Sequence, residues 1–277
     1  MNKLPYLNLG CGVTFHKSWT NIDFVAEAEE VIAHNLLDGI PVSDNHFQVV
    51  YHSHILEHFS KTKAKDFMKE CYRVLKPGGT LRVVIPDLEM IALNYVKYLN
   101  ESLQGVPGAE QKYNWTMLEL FDQVARTQSG GEMVNYIRDT TNNNDAFLFE
   151  RNGHEVERII SMIRGDGENT NASHTSIPPA NSLWKGISKR IKNKSIQLVL
   201  GKDYEAYKVG KFRSGGEVHQ WMYDRYSLKR LFEETGFKNA QVKSAFESTI
   251  PEWSSFNLDA GNGLVRKPDS LFMEAIK

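Results

Sequence analysis

The sequence predicts an α/β fold built on a parallel sheet and interrupted by a largely helical insertion. Three observations carry that prediction. Short apolar strands alternate with turns and helical stripes up to about residue 99. From residue 100 to about 217, helical fragments are broken by polar stretches. After Gly215-Gly216, a helix and two strand-like runs return. The expected organisation is a sheet core over 1–99, an insertion over 100–217 and a C-terminal part over 218–277 that completes the sheet.

The first strand is read at Tyr6–Leu9, and the next four at Thr20–Phe24, Val31–His34, Phe47–Tyr51 and Thr80–Ile85. The first two connections are too short for full crossover helices. Between the fourth and fifth strands, Phe67, Met68, Cys71, Tyr72 and Leu75 form one broad helical stripe within Lys63–Leu75. Pro77-Gly78-Gly79 stops that helix, and the run Leu81-Arg82-Val83-Val84-Ile85 reads as a buried central strand. In the insertion, helical fragments fall at Trp115–Arg126, Glu132–Arg138, His154–Ile163 and Leu183–Lys192. The polar stretch Gly165–Asn181 reads as a mobile loop. The C-terminal part holds a helix at Tyr226–Thr235 and strands at Ala240–Phe246 and Leu271–Ile276.

Composition narrows the function classes. Hydrophobic residues make up 41% and charged residues 24% of 277 positions, as in globular proteins. A net charge of −1 gives no overall basic footprint for nucleic acid. Cys11 and Cys71 are too few and too far apart for a disulfide framework or a paired-cysteine metal site. No apolar run reaches the roughly 18 residues of a membrane span. Met1-Asn2-Lys3-Leu4-Pro5 leads straight into the first strand, with no signal peptide pattern. The expectation is a soluble cytoplasmic protein.

The chemistry starts at Leu7-Asn8-Leu9-Gly10-Cys11-Gly12. Glycines after a strand let the backbone approach a ligand that a side chain would displace. Asp23, at the end of the next strand, is placed to accept hydrogen bonds from a ribose diol. Both devices suit a nucleoside-containing cofactor, whereas Gly-Cys-Gly alone is equally an ordinary strand-to-loop turn. Val13-Thr14-Phe15 supplies no third glycine, and Asp23 lies only 13 residues after Gly10, which disfavours a nicotinamide dinucleotide. The lack of a following Gly-Lys-Ser/Thr excludes a P-loop.

His54-Ile55-Leu56-Glu57-His58 spells an inverted zinc-protease pattern, so a zinc hydrolase using His54 and His58 is one alternative. That pattern must lie inside a helix, yet here it follows directly from a strand, and no metal is expected. Asp87 reads both as a helix N-cap and as a catalytic carboxylate at the mouth of the fifth strand. In Gly215–Asp224, His219 is the candidate general base, since imidazole titrates near neutrality. A structural histidine is the competing reading. Asp224 reads as the cap of the following helix. From Leu183 to Arg213, nine Lys/Arg stand against Asp203 and Glu205, a local charge of +7. Such a run is either a solvated helix face or an attraction for an anionic acceptor, among them a nucleotide-linked sugar, a lipid-linked glycan phosphate or RNA.

The glycine loop, Asn21-Ile22-Asp23, Phe47–His58 and Arg73–Leu81 occur in one order. That succession resembles class I S-adenosylmethionine-dependent methyltransferases, especially bacterial ones with a Leu-Glu-His segment after the fourth strand. The resemblance covers roughly 5–99 and, more loosely, 218–277. It implies a Rossmann-like, seven-stranded, mostly parallel sheet whose last strand is antiparallel, with S-adenosyl-L-methionine across the strand ends. Carried onto this chain, Gly10, Cys11 and Gly12 would hug the methionine part and Asp23 would bind the ribose. Asn35 and Leu36 would sit by the adenine, and Ser53 and His54 would close over the methionine side. His58 would lie near the methyl-transfer face.

Three departures stand out. Asn8 replaces the family's usual first-strand acid, and Asn35 replaces an Asp common beside the adenine. The helix after the glycine loop is nearly absent, leaving Phe15, His16 or Trp19 to cover the cofactor. The implied activity is methyl transfer to a small polar acceptor, most simply O-methylation of a sugar or secondary metabolite in biosynthesis. N-methylation and a non-catalytic cofactor-binding scaffold are the other readings. The aromatic-rich insertion suits a substrate wall, a lid or a homo-oligomer interface.

Overall fold

A computed structural model describes residues 3–142, 144–164 and 194–277. The expected loop Gly165–Asn181, the helix Leu183–Lys192 and the first part of the basic run lie outside these residues.

Seven strands form one sheet. They are β1 (Tyr6–Leu9), β2 (Thr20–Asp23), β3 (Val31–Ala33), β4 (Phe47–Ser53), β5 (Leu75–Pro86), β6 (Lys238–Lys243) and β9 (Ser270–Ile276), in the order β3-β2-β1-β4-β5-β9-β6. Strands β1 to β5 pair in parallel, whereas β9 runs antiparallel to both β5 and β6. A small hairpin, β7 (Ala260–Gly261) and β8 (Leu264–Val265), precedes β9. The strand order reverses beside β1, whose neighbours are β2 and β4. Open α/β sheets bind ligands at such a switch point, beyond the carboxyl ends of the strands. The expected Rossmann-like sheet with an antiparallel last strand is present.

Strand alternation divides the core in two. Leu7, Leu9, Val50, Val83 and Ile85 point to one face, where they meet Phe67, Met68 and Cys71 of helix α1 (Lys61–Val74). Leu228 and Phe232 from Arg225–Glu234 complete that layer. Tyr6, Val49, Tyr51, Val84 and Phe272 point to the other face, against Trp19, Trp253 and Phe256. Trp19 is thus fully buried, edge-on to Tyr6 at 5.1 Å and to Phe256 at 5.1 Å. It is core rather than cofactor cover, because the short β1–β2 connection plugs this face where a crossover helix would lie.

Between β5 and β6 come α2 (Leu88–Leu103), α3 (Ala109–Ala125), α4 (Gly131–Arg138), α5 (Asp145–Asn152), α6 (His154–Arg164) and α7 (Tyr204–Arg213). Trp115, Ile137, Leu148 and Val156 give these helices a small core of their own. The chain rejoins the sheet through α8 (Arg225–Glu234). Asp224 caps α8 in a reciprocal capping box with Ser227, as its position predicts. No helix among the described residues is long and apolar enough to cross a membrane.

Two strand boundaries differ from expectation for local reasons. Pro77-Gly78-Gly79 does not separate α1 from β5 by a free turn. Leu75 already pairs with Phe47, and the proline and glycines form a bulge before Val49 meets Thr80. A Cβ on Gly79 would lie 2.9 Å from the Gln48 carbonyl oxygen, so the close approach requires glycine. β6 starts earlier and ends earlier than read, because its ladder with β9 runs from Lys238 to Lys243.

The ladder stops where the Ser244 carbonyl turns to accept from Arg82 Nη2 at 2.8 Å. Arg82, fully buried in β5, is the charge hidden in an otherwise apolar strand. Its Nε donates to Asp259 Oδ2 at 2.7 Å, and Nη1 donates to Glu274 Oε1 at 2.7 Å and to the Glu247 carbonyl at 3.0 Å. Its guanidinium lies 4.5 Å from the Trp253 ring centroid. Replacing Arg82 by Ala leaves two buried carboxylates without their cation, a class of change that costs about 3–5 kcal/mol. Denaturant unfolding of Arg82→Ala should show that loss, whereas an unchanged midpoint would mean the carboxylates find other partners.

Candidate functional site: two cavities that meet at His54

The chain leaves β1 through a left-handed turn, with φ of +60° at Gly10 and +49° at Gly12. A Cβ on Gly10 would sit 2.0 Å from Ile55 Cδ1, so glycine is required by contact as well as by conformation. The Gly10 amide donates to the Ile22 carbonyl at 2.8 Å, and the Gly12 amide donates to Asp23 Oδ2 at 2.8 Å. Asp23 Oδ1 accepts from Val25 at 3.3 Å, so the carboxylate is folded toward the glycine loop. Asn8 Nδ2 donates to the Thr14 carbonyl at 3.2 Å. An unprotonated acid could not make that bond, which gives the departure at Asn8 a structural reason.

Asn8 and the glycine turn border a cavity of about 460 Å³, and Asp23 stands behind the turn, outside the cavity lining. Asn8, Gly10, Cys11 and Gly12 form one side, and Ser53 and His54 enter from the end of β4. The sequence reading missed the opposite wall. Arg158 comes from α6, while Asp259, Arg266 and Lys267 come from the segment before β9. The dipeptide Arg266-Lys267 was the visible signal, but nothing local placed it opposite the glycine loop. Tyr51 Oη donates to Asp259 at 2.6 Å, and Arg82 holds the other oxygen.

Asn35 and Leu36 are not brought into this cavity. Asn35 Oδ1 accepts from the Leu37 amide and caps the single turn Leu36–Asp38, and Leu36 packs against the core. The adenine-side assignment finds no support in their positions, because the turn that follows β3 directs Asn35 to its own backbone.

A second cavity, about 380 Å³, adjoins the first. His54 and Lys267 line both. Its polar lining includes Glu57, His58, Gln123, Arg126, His219 and Asp269, and its apolar side is built by Trp115, Met133, Ile137 and Val156 of the insertion. His54 has φ of +54°, an uncommon conformation for a residue with a Cβ. Its Nε2 lies 2.8 Å from Ser270 Oγ, and its Nδ1 lies 3.3 Å from Glu57 Oε1.

The inverted zinc-protease pattern is not helical here. His54 sits at the strand end, and only Leu56–His58 makes a single tight turn. His54 and His58 therefore take different partners, and their rings do not form a helical pair. His58 instead meets His219, with ring centroids 4.8 Å apart and planes nearly perpendicular.

Burial lowers the His219 imidazole to about 3 and outweighs the attraction of Glu57, and burial also lowers His58. Burial opposes ionisation of Glu57, yet His54 and the other surrounding histidines hold its carboxyl down at about 2. Asp87 lines neither cavity. Its Oδ1 accepts from the amides of Glu89 at 3.0 Å and Met90 at 3.2 Å, capping α2. Of the three candidate catalytic residues, His58 and His219 are brought together and Asp87 stands apart as a cap.

Residues 7–83 match the family model described as a methyltransferase domain. No curated protein matches the chain. Among solved structures, a SAM dependent methyltransferase from Archaeoglobus fulgidus aligns over 100% of this chain and 86% of its own, with 10% identity and a TM-score of 0.40. One from Aquifex aeolicus aligns over 100% and 84%, with 9% identity and a TM-score of 0.36. The methyltransferase-domain match spans less than a third of the chain, from β1 into β5, and the sheet around it has the order that the resemblance implies. The site fits S-adenosylmethionine, the cofactor that the resemblance implies: a left-handed glycine turn, with open space beside Gly12, borders a cavity of the size small-molecule cofactors occupy.

Two outcomes follow from this geometry. Gly10→Ala should lower stability by about 1–2 kcal/mol from the left-handed backbone alone, read by thermal unfolding. An unshifted melting temperature would show that the turn can relax. Burial, and then Asp23, push the Cys11 thiol up to about 12, and burial raises Cys71 as well. A colorimetric disulfide reagent at pH 8 should thus find almost no reactive thiol in the native protein and two after unfolding. Rapid native reaction of either cysteine would contradict the buried turn.

Proposed function

We propose that this chain is an S-adenosylmethionine-dependent methyltransferase that transfers the methyl group to an oxygen of a small polar acceptor, most simply a sugar or secondary metabolite. The observation that carries the proposal is the 380 Å³ cavity sharing His54 and Lys267 with the cofactor cavity. In this reading residues 1–99 form the cofactor core, 100–217 wall the acceptor, and 218–277 complete the sheet and bring His219 to the junction.

S-adenosylmethionine supplies an activated methyl group, so the protein's work is positioning, water exclusion and removal of a proton. The glycine loop and Asp23 hold the cofactor's methionine and ribose parts. Trp115, Ile137 and Val156 keep the acceptor cavity dry on one side. His219 lines that cavity, and its Nδ1 has no hydrogen-bond partner among the described residues, so it can take a proton from an acceptor hydroxyl. Lys267 at the junction suits an acceptor carrying a negative group, in line with the basic stretch that ends at Arg213, whereas Arg126 is engaged by Asp122 and Glu217. His58 positions His219 through their ring contact.

Calorimetric titration with S-adenosylhomocysteine tests the cofactor half. Wild-type protein should bind, and Asp23→Ala should bind about 10–100-fold more weakly, since a hydrogen bond to a charged group contributes about 1.5–3 kcal/mol. Retained affinity in the variant would remove Asp23 from the site. In an acceptor screen over sugars and phenols, His219→Ala should lower turnover by about 10²–10⁴ with unchanged S-adenosylhomocysteine affinity. Equal turnover would exclude His219 from proton removal.

A further inference from the structure

Glu57, His58 and His219 each bring one potential ligand atom to a common point, all within 4.8 Å of one another. We propose that these three residues bind one first-row divalent transition-metal ion in the second cavity. This inference rests on reading that cavity as the acceptor site.

The first support is a set of polar atoms with nothing to bind. Both carboxylate oxygens of Glu57, Nδ1 of His58 and Nδ1 of His219 are buried without a hydrogen-bond partner among the described residues. Glu57 is 1% exposed. His54 Nδ1 makes a 3.3 Å ion-pair contact with Glu57 Oε1, which leaves Oε2 for the two imidazoles. Buried polar groups are rarely left unmet, because each loses its hydration without a replacement and a charged one loses most. A single cation would satisfy the carboxylate and both imidazoles at once.

The second support is that the surroundings already hold the ligands in place. The Glu57 carbonyl accepts from the amides of Gln220 at 2.7 Å and Trp221 at 3.2 Å, which staples the turn bearing Glu57 and His58 to the segment bearing His219. The His219 amide in turn donates to the Gln123 carbonyl of α3 at 3.0 Å. The His58 ring is hydrogen-bonded to the Val218 backbone while its Nδ1 stays unpaired. A backbone carbonyl on the far ring nitrogen is the usual partner of a metal-bound histidine, since it fixes the tautomer that turns a lone pair to the ion. His54 stands to Glu57 as the outer partner of a ligating carboxylate.

Two imidazoles and one carboxylate form a donor set for zinc, iron(II) or manganese(II). Bond lengths of about 2.0–2.2 Å put tetrahedral ligand atoms roughly 3.3 Å apart, a closure that imidazole and carboxylate rotations can supply. Three protein ligands leave a coordination position open to the cavity. An acceptor hydroxyl bound there would lose its proton to solvent near neutral pH, as metal-bound water does. His219 would then act on the acceptor through the ion.

The test uses the untagged full chain, stripped with a chelator and titrated with Zn²⁺ by calorimetry and with Co²⁺ by visible absorption. One equivalent should bind, with tetrahedral-type cobalt absorption. His58→Ala and His219→Ala should each weaken binding by roughly 100-fold or more, while His46→Ala, remote from the site, should bind as wild type. Binding of S-adenosylhomocysteine by every variant reports that it is folded and tests the cofactor reading separately. Wild-type protein that binds S-adenosylhomocysteine but takes up no more metal than the His58→Ala/His219→Ala double variant would overturn the metal site and leave the methyltransferase reading standing. Metal uptake without S-adenosylhomocysteine binding would do the reverse.

Discussion

The arrangement depends most on one guanidinium. Arg82 sits in the middle of the sheet with no exposed surface, and every nitrogen of its head group has a partner. Two of those partners are carboxylates from the C-terminal segment, Asp259 and Glu274, and two are backbone carbonyls of the segment after β6. A buried charge tolerates little displacement, because losing a partner exposes it to an uncompensated desolvation cost. Arg82 therefore ties residues 244–274 to β5, and with them the far wall of the first cavity. Asp259 reaches that wall carrying a second bond from Tyr51 of β4, so the wall is referenced to two central strands at once.

The opposite side of the cavity is set by sterics. Gly10 has no Cβ because Ile55 occupies that space, and Ile55 is there because the chain leaves β4 through the left-handed His54. The glycine loop and the exit from β4 are thus shaped to each other. The same exit presents His54 to both cavities and starts the turn that carries Glu57 and His58. Contact between the two cavities follows from how one strand ends.

The insertion contributes a surface more than a fold. Its small core around Trp115 and Ile137 is separate from the two layers that clothe the sheet, yet both residues line the second cavity. Its return segment is hydrogen-bonded to α3 at His219 and to the β4 exit at Gln220. The polar cluster at this seam is held by backbone bonds, leaving its side chains for a ligand.

The alternation of Leu7 and Leu9 with Tyr6, the helical stripe of α1 and the cap at Asp224 are local patterns, and local chemistry was enough to read them. So was the glycine turn after β1, since two glycines there permit the left-handed backbone found at Gly10 and Gly12. Asp87 was legible only as two competing roles, and the structure gives it the capping one, because its oxygen meets two amides of its own helix. Asn35 and Trp19 were misplaced for a similar reason. Side chains beside short connections satisfy their neighbours first, and only the folded chain shows which neighbours those are. Asp259 lies 208 positions from Tyr51, and Arg82 lies 192 positions from Glu274, so no spacing rule could pair them. The sequence by itself determined the sheet, its glycine turn and its helix ends, because periodicity and capping act within a few residues. The charged wall of the first cavity and the Glu57, His58 and His219 cluster were decided by tertiary structure alone, because the antiparallel last strand and the returning insertion bring distant segments to the strand ends.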